Sequence, residues 1–267
     1  MAMGLALDLT IPLHPRVFDP VVMALDGAFG QPSFLVGRVA EKHPALLTLM
    51  SLTYLLLPVM MAAIIAVERR RAPGATRDVL RPILLAAAIG YLLYQIYPVV
   101  GPEPLLGARF PGGPIVPPGP DRDVLVAALT EPRNCMPSLH VGWALLLYWR
   151  GRKLGGVARL ATGLWLPLTA LATLANGQHY FIDLVVAVPF AALVDLLAER
   201  PAPVAAKRAR AWLIVTASVS LLAWYATLLL APTVPPSAPP LIALAAATVA
   251  ASWTLQARWS AALGLTR

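Results

Sequence analysis

The sequence predicts an all-α fold: a polytopic transmembrane helical bundle of about seven spans. Three observations predict it. The chain of 267 residues is 58% hydrophobic and only 13% charged, against about 25% charged in a soluble domain. Six apolar stretches, 45–67, 82–100, 158–175, 180–198, 212–231 and 241–255, approach the roughly 20 residues a helix needs to cross the hydrocarbon core. The basic residues gather at alternate ends of these stretches. Fifteen of the 21 lie in 69–81, 150–159, 200–210 and 258–267, which the positive-inside rule makes cytoplasmic.

Taken in order, residues 1–44 lack the basic start of a signal peptide. Within them, 17–40 is apolar but broken by Asp26, Gly27, Gly30, Pro32 and Gly37. An interfacial or re-entrant segment is expected there, with an extra span as the alternative. A transmembrane domain follows over 45–257. Its third span is short: a helix from 138 to 150 rises about 20 Å and crosses only if its lower Arg and Lys residues snorkel. Residues 98–137 form a Pro- and Gly-rich outer loop. Eight prolines and five glycines fall in 98–120, so no helix is expected there, only a stiff connection or a lid. Residues 258–267 read as a cytoplasmic tail.

Composition also excludes. The single Cys135 rules out an internal disulfide and a zinc site built from a set of cysteines. The net charge of +8 follows from topology and contact with anionic lipid, so no nucleic-acid partner is expected. Asp195 and Glu199 are expected to pair with Arg200 or neighbouring basic residues. His14, His43 and Cys135 are read as structural.

The candidate chemistry lies in two polar breaks. One is Arg133-Asn134-Cys135-Met136-Pro137-Ser138-Leu139-His140; the other is Asn176-Gly177-Gln178-His179-Tyr180-Phe181-Ile182-Asp183. A histidine near lipid is costly without partners and so marks a functional site. Two crossings separate His140 from His179, which puts both on one face, extracytoplasmic by the charge count. His179 and Asp183 are four apart, a spacing that shares a helix face. The carboxylate can then hold Nδ1–H and leave Nε2 free to attack. Ser138 is expected as an N-cap after Pro137, and a helix start with a hydroxyl makes an anion site. Arg133 could add a phosphate fork, and Asn134 and Gln178 adjoin the motifs as orienters or head-group contacts. Together these residues suit phosphoryl transfer without a metal or cofactor. His179 is the expected nucleophile and His140 the leaving-group acid. Two His and an Asp could instead hold a metal, and Ser138 could be a hydrolase nucleophile. Neither reading has its usual accompanying motif.

CMPSLHVGWALL (135–146) and GQHYFID (177–183) resemble the second and third signatures of the type 2 phosphatidic acid phosphatase superfamily. The PSLH form and the aromatic after the second His resemble the branch of inositol phosphorylceramide synthases and their bacterial relatives. The resemblance covers residues 80–198. It implies a six-helix core with its site at the outer membrane face, His179 as nucleophile, Asp183 as its orienter and His140 as leaving-group acid. It also implies that Ser138 and Arg133 meet the phosphate. The superfamily's first motif is missing; 97–102 stands in its place, and no Arg precedes the third motif's His. Phosphate neutralisation then rests on Arg133, with Arg109 or Arg122 folding in.

The expected activity is an integral-membrane phosphatase or phosphotransferase acting on a lipid phosphate ester at the outer leaflet. The lipid would be a phospholipid, a sphingolipid or an isoprenyl phosphate. Transfer of a phospho-head-group to a lipid hydroxyl is the alternative. A transporter or flippase with a histidine proton relay is a rival of another class, but it calls for ionisable residues near span midpoints rather than at span ends. Ala-, Pro- and Arg-rich usage points to a bacterial inner membrane, with the site facing the periplasm.

Overall fold

A computed structural model describes residues 2–71, 79–112, 124–125, 130–199, 204–233 and 237–262. The chain opens with α1 (Ala2–Asp8), α2 (Thr10–Leu13), a two-residue strand β1 (Arg16–Val17), α3 (Asp19–Asp26) and α4 (Pro32–Lys42). Next come α5 (Pro44–Leu55), α6 (Leu57–Arg71), α7 (Leu80–Ile96), α8 (Pro102–Leu106), strand β2 (Val124–Leu125) and α9 (Leu139–Leu154). The chain then runs through α10 (Gly156–Ala175), α11 (Phe181–Ala198), α12 (Val204–Leu230) and α13 (Ala238–Ala262). The all-α, membrane-like reading holds. The only strands among the described residues are β1 and β2, joined antiparallel in register Arg16 to Leu125.

Among the described residues, four helices are long and apolar enough to cross a membrane: Gly156–Ala175, Phe181–Ala198, Lys207–Leu230 and Ala238–Trp259. A fifth span exists if α5 and α6 count as one, although they meet at 52°. The single stretch read over 45–67 is therefore broken. Pro58 accounts for the break, because it has no N–H for the carbonyl of Tyr54 and its ring crowds that carbonyl. Helices α7 and α9, with 17 and 16 residues, fall short of the ~20 of a full span.

Helix α11 is the centre of the bundle. Apart from its two aspartates, one near each end, it is apolar on every side, as an enclosed helix must be. Helices α7, α9, α12 and α13 surround it. At the end remote from the histidines, Arg150 of α9 donates to Asp195 (2.7 Å) and Glu199 (3.1 Å), and Gln256 of α13 donates to Asp195 (3.2 Å). Among the described residues the acids pair with Arg150 across the bundle; Arg200, the partner expected from the sequence, lies outside them. Asp195 is fully buried, so losing its cation strands a charge. Arg150→Ala is expected to cost about 3–5 kcal/mol, read as a lowered midpoint in thermal or denaturant unfolding in detergent. Exchanging both Arg150 and Asp195 for apolar residues should cost less.

The Pro- and Gly-rich loop is not wholly irregular. Pro102 starts the five-residue α8 at its first position, where a missing N–H removes no helical bond. Residues 113–123 and 126–129, including Arg122, lie outside the described residues. Helices α3 and α4 replace the broad segment read over 17–40, and at 8 and 11 residues neither is long enough to cross.

Candidate active site

Four stretches converge at one end of the bundle: the start of α3, the 97–103 connection, the run into α9, and the turn between α10 and α11. Backbone bonds knit them together. Phe18 N–H donates to Pro98 O (2.9 Å), Cys135 N–H to Val99 O (3.0 Å), Glu103 N–H to Gly177 O (2.8 Å) and Ser138 N–H to Asp183 O (3.2 Å). Two glycines permit this packing. Gly177 has φ +64°, and a Cβ there would lie 2.7 Å from Glu103 and Phe110 side-chain atoms. Gly101 has φ +107°, and a Cβ there would lie 2.6 Å from the carbonyl of Gln178. Both conformations are open to glycine at no steric cost.

The α10–α11 turn presents His179. The ring does not sit on the helix, as its spacing to Asp183 suggested. Tyr180 is the N-cap of α11 and Asp183 the third helical residue. The Asp183 carboxylate reaches back to the Tyr180 N–H at 2.7 Å, the return bond of a capping box. That bond sets the carboxylate 3.4 Å from His179 Nδ1. His179 is 4% exposed. Burial pushes its imidazolium down to about 3, opposed by a hydrogen bond to the Cys135 backbone, so the ring is neutral at physiological pH.

Helix α9 presents His140. Ser138 is its N-cap, as the sequence suggested, with its hydroxyl accepting from Val141 N–H at 3.4 Å. The His140 ring stacks on Tyr54 of α5, with centroids 3.8 Å apart and planes 19° from parallel. It lies 6.1 Å from the Trp143 ring and 6.3 Å from the His179 ring. Between the histidines opens a cavity of about 140 Å³. Asn134 and Gln178 reach it, and Leu7, Tyr54, Tyr94, Leu139 and Trp143 complete its wall.

The remaining two candidates stand back from this cavity. Ser138 is fully buried beneath it. The Arg133 guanidinium, expected as a phosphate fork, donates from Nε to His14 O (3.1 Å) and from Nη1 to Glu131 O. Its backbone N–H donates to the Thr10 hydroxyl (2.8 Å), so Arg133 fastens the N-terminal segment over the site. Arg109 is exposed on the connecting loop.

Three residues here escaped the sequence reading. Cys135, taken as structural, lies against both partners of the dyad: Sγ is 2.7 Å from Asp183 Oδ2, 3.3 Å from His179 Nδ1 and 3.2 Å from Gln178 O. Burial pushes its thiol well above the usual range. Asp19 accepts from Val100 N–H (3.0 Å), Gly101 N–H (2.8 Å) and the Tyr180 hydroxyl (3.1 Å). Asp26 accepts from Ile182 N–H (3.1 Å) in the first turn of α11. Burial pushes both carboxyls up to about 7 against these bonds. The signal was present: two acids seven apart, on one face of a helix, flank the otherwise apolar run 20–25.

No curated protein and no solved structure matches the chain. The family model of the PAP2 superfamily matches residues 22–197. That range holds both histidines, Asp183, Asp26 and the helices that position them. It spans about two thirds of the chain, and the protein therefore belongs to the PAP2 superfamily, a family of phosphatase-type membrane proteins.

Proposed function

We propose that the protein is a metal-independent lipid phosphatase or phosphotransferase that works through a phosphohistidine at residue 179. The observation that carries this reading is the pair of imidazoles with ring centres 6.3 Å apart across one small cavity, of which His179 is backed by the Asp183 carboxylate. Both rings line that cavity, so a phosphoryl group seated in it can meet a nucleophile from one side and a proton donor from the other. In the first step the Nε2 lone pair of His179 forms a bond to phosphorus while the bond to the leaving alcohol oxygen breaks. His140 gives that oxygen its proton, and the bound phosphate's negative charge favours the imidazolium that supplies it. Asp183 holds the positive charge that grows on His179. In the second step His140 takes a proton from water or a lipid alcohol, whose oxygen then displaces His179 from phosphorus.

The phosphate oxygens meet Asn134 and Gln178, together with the positive end of α9 that Ser138 caps. Arg133 adds its charge from behind. Among the described residues that line the cavity none is Lys or Arg. That lining suits a singly charged phosphodiester better than a doubly charged monoester. It favours, as the second reading, transfer of a phospho-head-group to a lipid hydroxyl, as in the inositol phosphorylceramide synthase-like branch. The lipid would enter from the outer leaflet of a bacterial inner membrane. Helices α7 and α9 would complete seven crossings, and 17–40 would re-enter the outer face.

Purified protein incubated with phosphatidate, phosphodiester phospholipids and isoprenyl phosphates should release phosphate or form a new lipid. The absence of both with every member of the panel would contradict the reading. Vanadate, which mimics five-coordinate phosphorus, should inhibit, and EDTA should not lower turnover. EDTA-dependent loss would favour metal-assisted chemistry.

A further inference from the structure

Cys135 stands where a histidine–aspartate dyad needs no third group. Its thiol meets the dyad on the side away from the cavity, beside Nδ1 and the carboxylate, while Nε2 is left for phosphorus. The three candidate ligand atoms, Sγ, Nδ1 and Oδ2, lie 2.7, 3.3 and 3.4 Å from one another. All three residues are buried. The second carboxylate oxygen, Asp183 Oδ1, is also buried and has no hydrogen-bond partner among the described residues. An unpaired buried carboxylate oxygen beside a thiol and an imidazole nitrogen is a donor set short of one cation.

We propose that Cys135, His179 and Asp183 bind one soft divalent cation, Zn²⁺ or Cd²⁺, and that this cation switches the nucleophile off. Ligand bonds of about 2.0–2.3 Å at tetrahedral angles put donor atoms roughly 3.4–3.6 Å apart. Two of the three edges are already near that length. Only the Sγ–Oδ2 edge must open, by somewhat under an ångström, as the thiol proton between them leaves. A thiolate and a carboxylate against a divalent cation sum to zero charge, which suits a site walled by apolar residues. Thiolate and imidazole together select zinc-like ions over Mg²⁺ and Ca²⁺. The ion enters by way of the cavity, which His179 lines.

The switch lies in the imidazole's protons. In the active form Nδ1 carries the proton and Nε2 the lone pair. A cation on Nδ1 takes that nitrogen's lone pair, so the neutral ring carries its proton on Nε2. Nε2 then has no electrons to offer phosphorus. The Sγ–H bond breaks, its proton passes to solvent, and the Sγ–cation bond forms; nothing is oxidised or reduced. Because protons compete for the site, binding tightens as pH rises. The inhibitory consequence rests on His179 being the nucleophile; the binding does not.

The test uses the full chain in detergent and Cd²⁺. Thiolate-to-cadmium charge transfer absorbs in the ultraviolet, and with a single cysteine in the chain any such band reports Cys135. One equivalent should saturate the band, Zn²⁺ should displace it and Mg²⁺ should not. Cys135→Ser should abolish it, and His179→Ala should weaken binding about tenfold or more, with helical circular dichroism confirming that both variants fold. Turnover should fall over the same Zn²⁺ range and return with EDTA. Absence of the band, or a band indifferent to His179→Ala, overturns the site. A band of the expected kind with turnover indifferent to bound Zn²⁺ leaves the site standing and overturns both the switch and His179 as nucleophile.

Discussion

His179→Ala should reduce turnover by about 10⁴-fold or more, since in the proposed mechanism this ring, backed by Asp183, forms the bond to phosphorus and removal of a nucleophile costs on that order. The neighbouring groups do not substitute for it. Cys135 lies behind the ring with its thiol held protonated by burial. Ser138 is buried and its hydroxyl caps α9. The substitution should leave the fold intact, because the His179 carbonyl still accepts from the Ser33 hydroxyl (2.8 Å) and the capping box at Tyr180 and Asp183 does not involve the ring. Turnover and thermal unfolding measured on the same preparation separate the two effects. Wild-type-like turnover would remove His179 from the nucleophile's role.

His140→Ala should cost about 10²–10⁴-fold, the usual range for a general acid, and the cost should depend on the leaving group. An alkyl alcohol leaves poorly without a proton, whereas a nitrophenolate leaves without one. Formation of the phosphoryl-enzyme from a nitrophenyl phosphate should therefore be nearly spared in the variant, while formation from a lipid ester is lost. Water or alcohol attack also loses its base, so phosphoryl-enzyme should accumulate. Burst kinetics with the nitrophenyl ester measure both. Equal loss with the two leaving groups would make His140 a binding residue; its stacking on Tyr54 is the contact that would then be disturbed.

Much of the bundle was readable because hydropathy and charge bias are one-dimensional signals. Each of the six apolar stretches corresponds to a helix or to the bent α5–α6 pair, and the polar breaks between them hold the two histidines that meet at the cavity. Ser138 was readable as a cap because a cap is a local decision of four residues. The bend at Leu56 was carried by Pro58, a local signal masked by the hydropathy around it. What lay beyond reach depends on contacts far apart in sequence. Asp19 binds the 100–101 backbone and Tyr180, and Asp26 caps a helix that starts at residue 181. No periodicity reports such partners. Arg133 looked like a phosphate ligand because it precedes the motif, but a side chain long enough to reach phosphate is also long enough to reach the carbonyls of His14 and Glu131. Cys135 looked inert because its neighbours in sequence offer it nothing, whereas the α10–α11 turn brings it two partners.

The most direct measurement is to quench the His140→Ala variant in alkali during turnover of a phosphoryl-labelled lipid substrate and to map the label by mass spectrometry. Phosphorus attached to the imidazole of residue 179, stable to alkali and lost in acid, is the expected result. Turnover with no label on that ring, or with the label on another residue, would contradict the covalent role of His179.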